Sequence, residues 1–96
     1  MSLFKVIPPL ADRIRADAQA MDILRALADM TVNLEKAPKA YAVQQRIKQS
    51  DRSFAPSLYS VLNAGFVGRR EPSGRMSLTP AGWEFLGEQP PFWINM

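Results

Sequence analysis

The side chains best able to do chemistry lie close together, between residues 46 and 75. Arg46 and Lys48 precede a polar tetrapeptide, Ser50-Asp51-Arg52-Ser53. Ser57, Tyr59, Ser60 and Asn63 follow, and Arg69, Arg70 and Arg75 close the stretch. Guanidinium and ammonium groups neutralise phosphates, while Ser, Asn and Tyr are able to hydrogen-bond to them, so this set suits a polyanion. The charge around it is polarised. Residues 36–75 hold Lys36, Lys39, Arg46, Lys48, Arg52, Arg69, Arg70 and Arg75 against Asp51 and Glu71 alone, a net +6 in a chain of net +3. The remainder, with Lys5, Arg13, Arg15 and Arg25 against seven acids, is net −3. One face for a polyanion and another without it is one reading; an ordinary solvated surface is the other, and the fold must decide.

Catalytic chemistry finds little to work with. There is no histidine and no cysteine, which removes the commonest general base, thiolate metal sites and disulfide frameworks. Asp12, Asp17, Asp22 and Asp29 are spaced so as to spread around a helix instead of pairing. Gly65, Gly68, Gly74 and Gly82 read as turn and strand glycines and form no phosphate-binding loop. Trp83, Phe85, Met21 and Leu24 read as core. The expectation is a non-enzyme with no metal and no cofactor. No apolar run approaches the roughly 18–20 residues of a membrane span, and Leu3-Phe4-Lys5-Val6-Ile7 is too short for a signal peptide. A soluble, cytoplasmic protein without membrane contact is expected.

The elements that must position these residues can be read from periodicity. The 96 residues suit one domain over 10–88, with an apolar arm at 1–9 and an apolar tail at 89–96. A helix from 10 to about 31 carries two adjacent apolar stripes: Leu10, Ile14, Met21, Leu24 and Ala28, and beside them Ala20, Ile23, Leu27 and Met30. Such a helix is either central in the core or shared with a second chain. Ala37-Pro38 looks like the entry to a second helix, about 38–49, with Ala40, Val43 and Ile47 inward. Ser53 is the expected N-cap of a third, about 54–64, with Phe54, Leu58, Val61 and Leu62 inward, Pro56 in its first turn and Gly65 ending it. Residues 66–71 and 75–79 read as strands joined by Pro72-Ser73-Gly74. Thr79 or Pro80 then opens a short helix from Ala81 to about Glu88.

Helix, helix, turn, helix, hairpin is the order of a winged helix-turn-helix domain. Leu58 to Arg70 resembles the end of the recognition helix and the first wing strand of bacterial regulators of the MarR and PadR type. Gly74 to Leu86, with Leu78-Thr79-Pro80-Ala81-Gly82 at its centre, resembles their second wing strand and closing helix. The resemblance implies a mainly α fold with a small β-hairpin (α+β): a three-helix core, a two-stranded wing and a short C-terminal helix. It implies sequence-specific double-stranded DNA binding by a small transcriptional regulator, of a size that suits a phage or other mobile element. The helix at 54–64 would enter the major groove, and the wing at 68–76 would lie on the backbone or in the minor groove. Pro56, Ser60 and Asn63, flanked by Ser57 and Tyr59, would face the groove, with Arg52, Ser53 and the helix N-terminus at its head. Of Arg69 and Arg70 only one would reach DNA, the other pairing with Glu71 or a carboxylate of the first helix. Arg75 would join the wing contact, and Lys48 and Arg46 would touch phosphates. A homodimer through the first helix and the terminal arms would match a symmetric operator. Three features depart from the family: the turn between the second and third helices has no glycine, the connector at 31–39 is long, and Pro90-Pro91 come too early for a long dimerisation helix. The family's dimer and effector pocket are therefore not carried over. A winged-helix adaptor that binds protein and not DNA is the alternative.

Overall fold

The computed structural model describes residues 10–34 and 37–91. The order is α1 (Leu10–Arg15), α2 (Ala18–Leu34), α3 (Ala40–Ile47), α4 (Asp51–Asn63), β1 (Val67–Arg70), β2 (Arg75–Leu78) and α5 (Pro80–Leu86). This is a mainly helical α+β architecture with a two-stranded antiparallel sheet and a C-terminal helix. Among the described residues no helix is long and apolar enough to cross a membrane. The apolar arm at 1–9, and residues 92–96 of the tail, lie outside the described residues.

The first expected helix is two helices. The Asp17 carboxylate accepts from the backbone N–H groups of Gln19 and Ala20 at 3.1 and 3.2 Å. It thereby caps α2 and stops α1 one turn earlier, in the way a short polar side chain competes with the helix ladder. Composition had suggested no break because neither Gly nor Pro is present.

α2 is the spine of the molecule. Ala20, Ile23, Leu24, Ala26, Leu27, Ala28 and Met30 are all buried, because α1, α3, α4, α5 and β2 all pack against it. Most of both apolar stripes is thus covered from within the chain, while Leu10 at the start of α1 and Val32 near the end of α2 stay exposed. Self-burial accounts for most of the apolar surface from which a homodimer was expected, and the arms invoked with it fall outside the described residues.

Pro38 does not open α3. It is buried ahead of the helix, and its carbonyl accepts from the Met76 N–H at 2.8 Å. Lys39 then forms an antiparallel bridge with Arg75, so a short extended piece flanks β2 on the side away from β1. α4 begins earlier than the sequence suggests. Its N-cap is Ser50, whose hydroxyl accepts from the Ser53 N–H at 3.4 Å, and Ser53 itself lies in the first turn. Pro56 is consequently the sixth helical residue and leaves the Arg52 carbonyl without its usual i+4 donor. At the other end Phe66 N–H donates to Val61 O and Gly65 N–H to Leu62 O, with Gly65 at φ 82°, a complete Schellman stop.

β1 and β2 pair Val67 with Leu78, Gly68 with Ser77, Arg69 with Met76 and Arg70 with Arg75. Residues 71–74 turn between them, with a cis Glu71–Pro72 bond and Gly74 at φ 77°. The segment Leu78 to Gly82 then locks three elements together. Leu78 is buried in the core. Thr79 caps α5 by accepting from the Gly82 N–H at 3.1 Å, and its hydroxyl donates to Gly65 O at 2.6 Å. Pro80 occupies the first helical position. Gly82 is a helix residue rather than the turn or strand glycine expected: it is buried where the first turn of α5 crosses the backbone of Phe66. Phe85 stacks on Phe66 at 4.4 Å between ring centroids, and the Arg15 guanidinium covers its ring at 4.4 Å, tying α1 to the C-terminal helix.

Candidate nucleic-acid interface

Burial along α4 defines its outward face. Phe54, Ser57 and Val61 are buried, Leu58 and Leu62 half-buried, and Asp51, Arg52, Ala55, Pro56, Tyr59 and Asn63 exposed. At 3.6 residues per turn the last five of these form one stripe along the helix, with Asp51 to one side of it. Relative to the stripe expected from sequence, the helix is rotated by about 45° about its axis. Ser57 therefore leaves the candidate set: its 4% exposure places it in the core face between Phe54 and Val61. Ser60 moves to the flank, and its hydroxyl donates to Pro56 O at 3.0 Å. Ser53 is likewise half-buried, its hydroxyl directed to Ser50 O. Tyr59, by contrast, moves from flank to centre and is 67% exposed.

The helix N-terminus does not offer the phosphate site expected of it. Asp51 sits in its first turn, where a carboxylate already answers the positive end of the helix dipole. That carboxylate also accepts from Gln44 Nε2 at 2.5 Å, and the same nitrogen reaches Gln49 O at 3.2 Å. Gln44 thus staples the turn between α3 and α4. The missing glycine in that turn is replaced by Lys48, which takes the left-handed conformation at φ 56° and ends α3.

The basic residues divide into two groups. Arg46 is paired with Asp29 of α2, so it holds α3 to the spine rather than serving as the phosphate contact expected. Arg69 lies 3.8 Å from Glu71, which makes it the member of the Arg69–Arg70 pair that finds an internal carboxylate. Arg75 is half-buried, and its Nη1 donates to Ala37 O at 2.6 Å, so it braces the hairpin against the segment before α3. A carbonyl is neutral, and Arg75 keeps its charge. Lys39, Lys48, Arg52 and Arg70 are exposed, with no ion-pair partner among the described residues.

Strand register then places three cations together. Residues directly opposite one another in an antiparallel pair project to the same face of the sheet, about 4.5–5.5 Å apart at Cα. Lys39 is opposite Arg75, and Arg75 is opposite Arg70. Lys39, Arg75 and Arg70 therefore form one row across three extended segments, on the face opposite Val67, Arg69 and Met76. The sequence reading counted Lys39 in the charge tally and missed it as a site residue, because its place in the row depends on pairing across 36 positions. Tyr41 was missed too. It is 68% exposed, lies with Gln45 and Lys48 on the outer face of α3, and accepts from Gln45 Nε2 at 2.8 Å, leaving its own O–H free to donate. The spacing of Ala40, Val43 and Ile47 carried that signal.

Elsewhere the described residues show no group of three acidic side chains placed to hold a metal ion. An open cleft of about 380 Å³ lies along α5 between Pro80 and Pro90, with Glu84 and Glu88 on its wall. Trp83 and Leu24 are core residues as expected, and Met21 and Phe85 pack partly buried against them.

No protein-family model, curated protein or solved structure matches this chain.

Proposed function

We propose that this chain is a winged helix-turn-helix protein that binds double-stranded DNA, with α4 in the major groove and the β1–β2 hairpin, as the wing, against the backbone or minor groove. It acts in the cytoplasm as a small regulator of transcription, without catalysing a reaction. The observation that carries this reading is the row Lys39–Arg75–Arg70. Like charges directly opposite on a sheet destabilise it by roughly 0.2–1 kcal/mol a pair. A polyanion laid across the row turns that repulsion into attraction, and the release of counterions from the phosphates adds to the gain. Lys48 and Arg52, exposed at the end of α3 and the head of α4, add to the positive charge, whereas the carboxylates of Asp12, Asp22 and Glu84 are exposed on α1, α2 and α5 and that of Glu88 just beyond α5.

The test is a titration of the isotope-labelled protein with a duplex of about 20 base pairs at low salt, followed amide by amide. Shifts are expected for Lys39, Lys48, the residues of α4 from Arg52 to Asn63 and the hairpin from Gly68 to Arg75, with α1 and α5 unmoved. Shifts confined to α5, or none at all, would overturn the proposal.

Lys48 gives a second expectation that separates binding from folding. A non-glycine residue in the left-handed region costs roughly 1–2 kcal/mol. Lys48→Gly should therefore raise the thermal midpoint, by several degrees for a domain of this size. It should at the same time weaken DNA binding by removing a phosphate contact. A variant that is both more stable and equally tight would show that Lys48 serves the turn alone.

A further inference from the structure

We infer that the DNA sites preferred by this protein carry thymine at the centre of the groove surface covered by α4, read through thymine methyl groups by Ala55, Pro56 and Tyr59. The inference rests on the DNA-binding reading above and concerns what that surface selects. Arg52 and Asn63 stand eleven residues apart, about 16 Å along the helix. At 3.4 Å per base pair that covers about five steps of duplex. Between them the outward stripe holds only Ala55, Pro56 and Tyr59. The hydroxyls that could have donated to base edges beside it already donate to backbone carbonyls nearby in the chain, Ser53 to Ser50 O and Ser60 to Pro56 O.

What remains at the centre is a methyl group, a pyrrolidine ring and a phenol ring. In the major groove the one apolar group on any base is the thymine C5-methyl. Against the donors and acceptors of a G·C pair, the same surface strips water and returns no hydrogen bond from Ala55 or Pro56, which penalises the wrong base. Pro56 adds an independent sign. A proline at the sixth position of a helix sacrifices a backbone hydrogen bond, yet its ring points to solvent, where it does nothing for the core. At the end of the stripe Asn63 is exposed, and asparagine is the side chain that pairs bidentately with adenine.

The experiment compares three duplexes of equal length with the full chain at one salt concentration. One has an A·T centre, one a G·C centre, and one the A·T centre with every thymine replaced by deoxyuridine, which removes only the methyl groups. Each buried methyl should contribute about a fourfold change, the equivalent of ~0.8 kcal/mol. The deoxyuridine duplex should then bind roughly fifteenfold more weakly than its thymine parent when two methyls are covered. The Tyr59→Gln variant, altered at an exposed position, should lose most of that difference while still binding duplex. Equal binding of the thymine and deoxyuridine duplexes, with both bound tightly, would overturn the inference and leave the DNA-binding reading intact. Failure to bind any of the three would overturn both and mark the stripe as a protein-docking face.

Discussion

Replacing Gly82 with alanine is expected to destabilise the fold more than any other single methyl addition to its glycines. A Cβ at this position would lie 2.2 Å from Phe66 O and 3.1 Å from Phe66 C, both backbone atoms, with Leu78 Cδ2 at 3.2 Å. The two nearest atoms belong to one backbone carbonyl, which cannot swing away as a side chain would. α5 must lift off the strand entry, and with it the Thr79 hydrogen bonds and the burial of Trp83. Overpacking of this kind costs about 3 kcal/mol or more. That lowers the melting temperature by roughly 12–24 °C for a domain of this size. The opposing effect is smaller: alanine exceeds glycine in helix propensity by about 1 kcal/mol. Gly65→Ala is the control. Its Cβ would meet nothing within 4 Å, and only the positive φ of 82° opposes it, at about 1–2 kcal/mol. Thermal unfolding of the two variants decides the matter. A Gly82→Ala protein that melts at or above the wild type would show that α5 does not press on Phe66.

The residues around Gly82 also show how much could be read in advance. Pro80, Gly65 and the turn at 71–74 act locally, within one or two residues of the feature they create, and their roles were legible. Gly82 was recognised as part of a recurrent stretch, yet its reason is a contact with a backbone atom sixteen residues away, which no local pattern reveals. The face of α4 was misplaced for a related cause. Choosing Leu58 and Leu62 as inward residues is sound by hydrophobicity, but α4 packs against α2 with the small side chain of Ser57 buried while both leucines remain half-buried. The break at Asp17 was hidden because a carboxylate can cap a helix inside an unbroken apolar pattern. The division of the arginines was legible only in part. Alternation along β1 gave the Arg69–Glu71 pairing as one option, whereas the Arg46–Asp29 pair and the Arg75 brace to Ala37 depend on how the elements assemble. The row Lys39–Arg75–Arg70 belongs to the same class: three residues unremarkable in sequence become a site through register.

Substitutions in that row are expected to have the largest effect on binding. Lys39 and Arg70 are exposed at its two ends, so alanine at both should leave the fold intact, as surface changes generally do. Arg75 is retained because it holds the hairpin in place. Loss of two charge-assisted phosphate contacts should weaken duplex binding at least tenfold at low salt, taking about 1.5 kcal/mol for a hydrogen bond to a charged group. Arg46→Ala supplies the contrast, since its guanidinium is already matched by Asp29, and binding should hardly change.

The measurement that bears most directly on the central claim is the salt dependence of duplex affinity, taken side by side for the wild type, the Lys39→Ala/Arg70→Ala protein and the Arg46→Ala protein. Each phosphate neutralised on B-DNA contributes about −0.9 to the slope of log K against log salt. With Lys39, Lys48, Arg52, Arg70 and Arg75 engaged, the wild-type slope should be about −4.5, shrinking by about 1.8 in the double variant and staying near the wild-type value in Arg46→Ala. A wild-type slope near zero, or one that the double variant leaves unchanged, would contradict the claim that this sheet face and α4 together hold DNA.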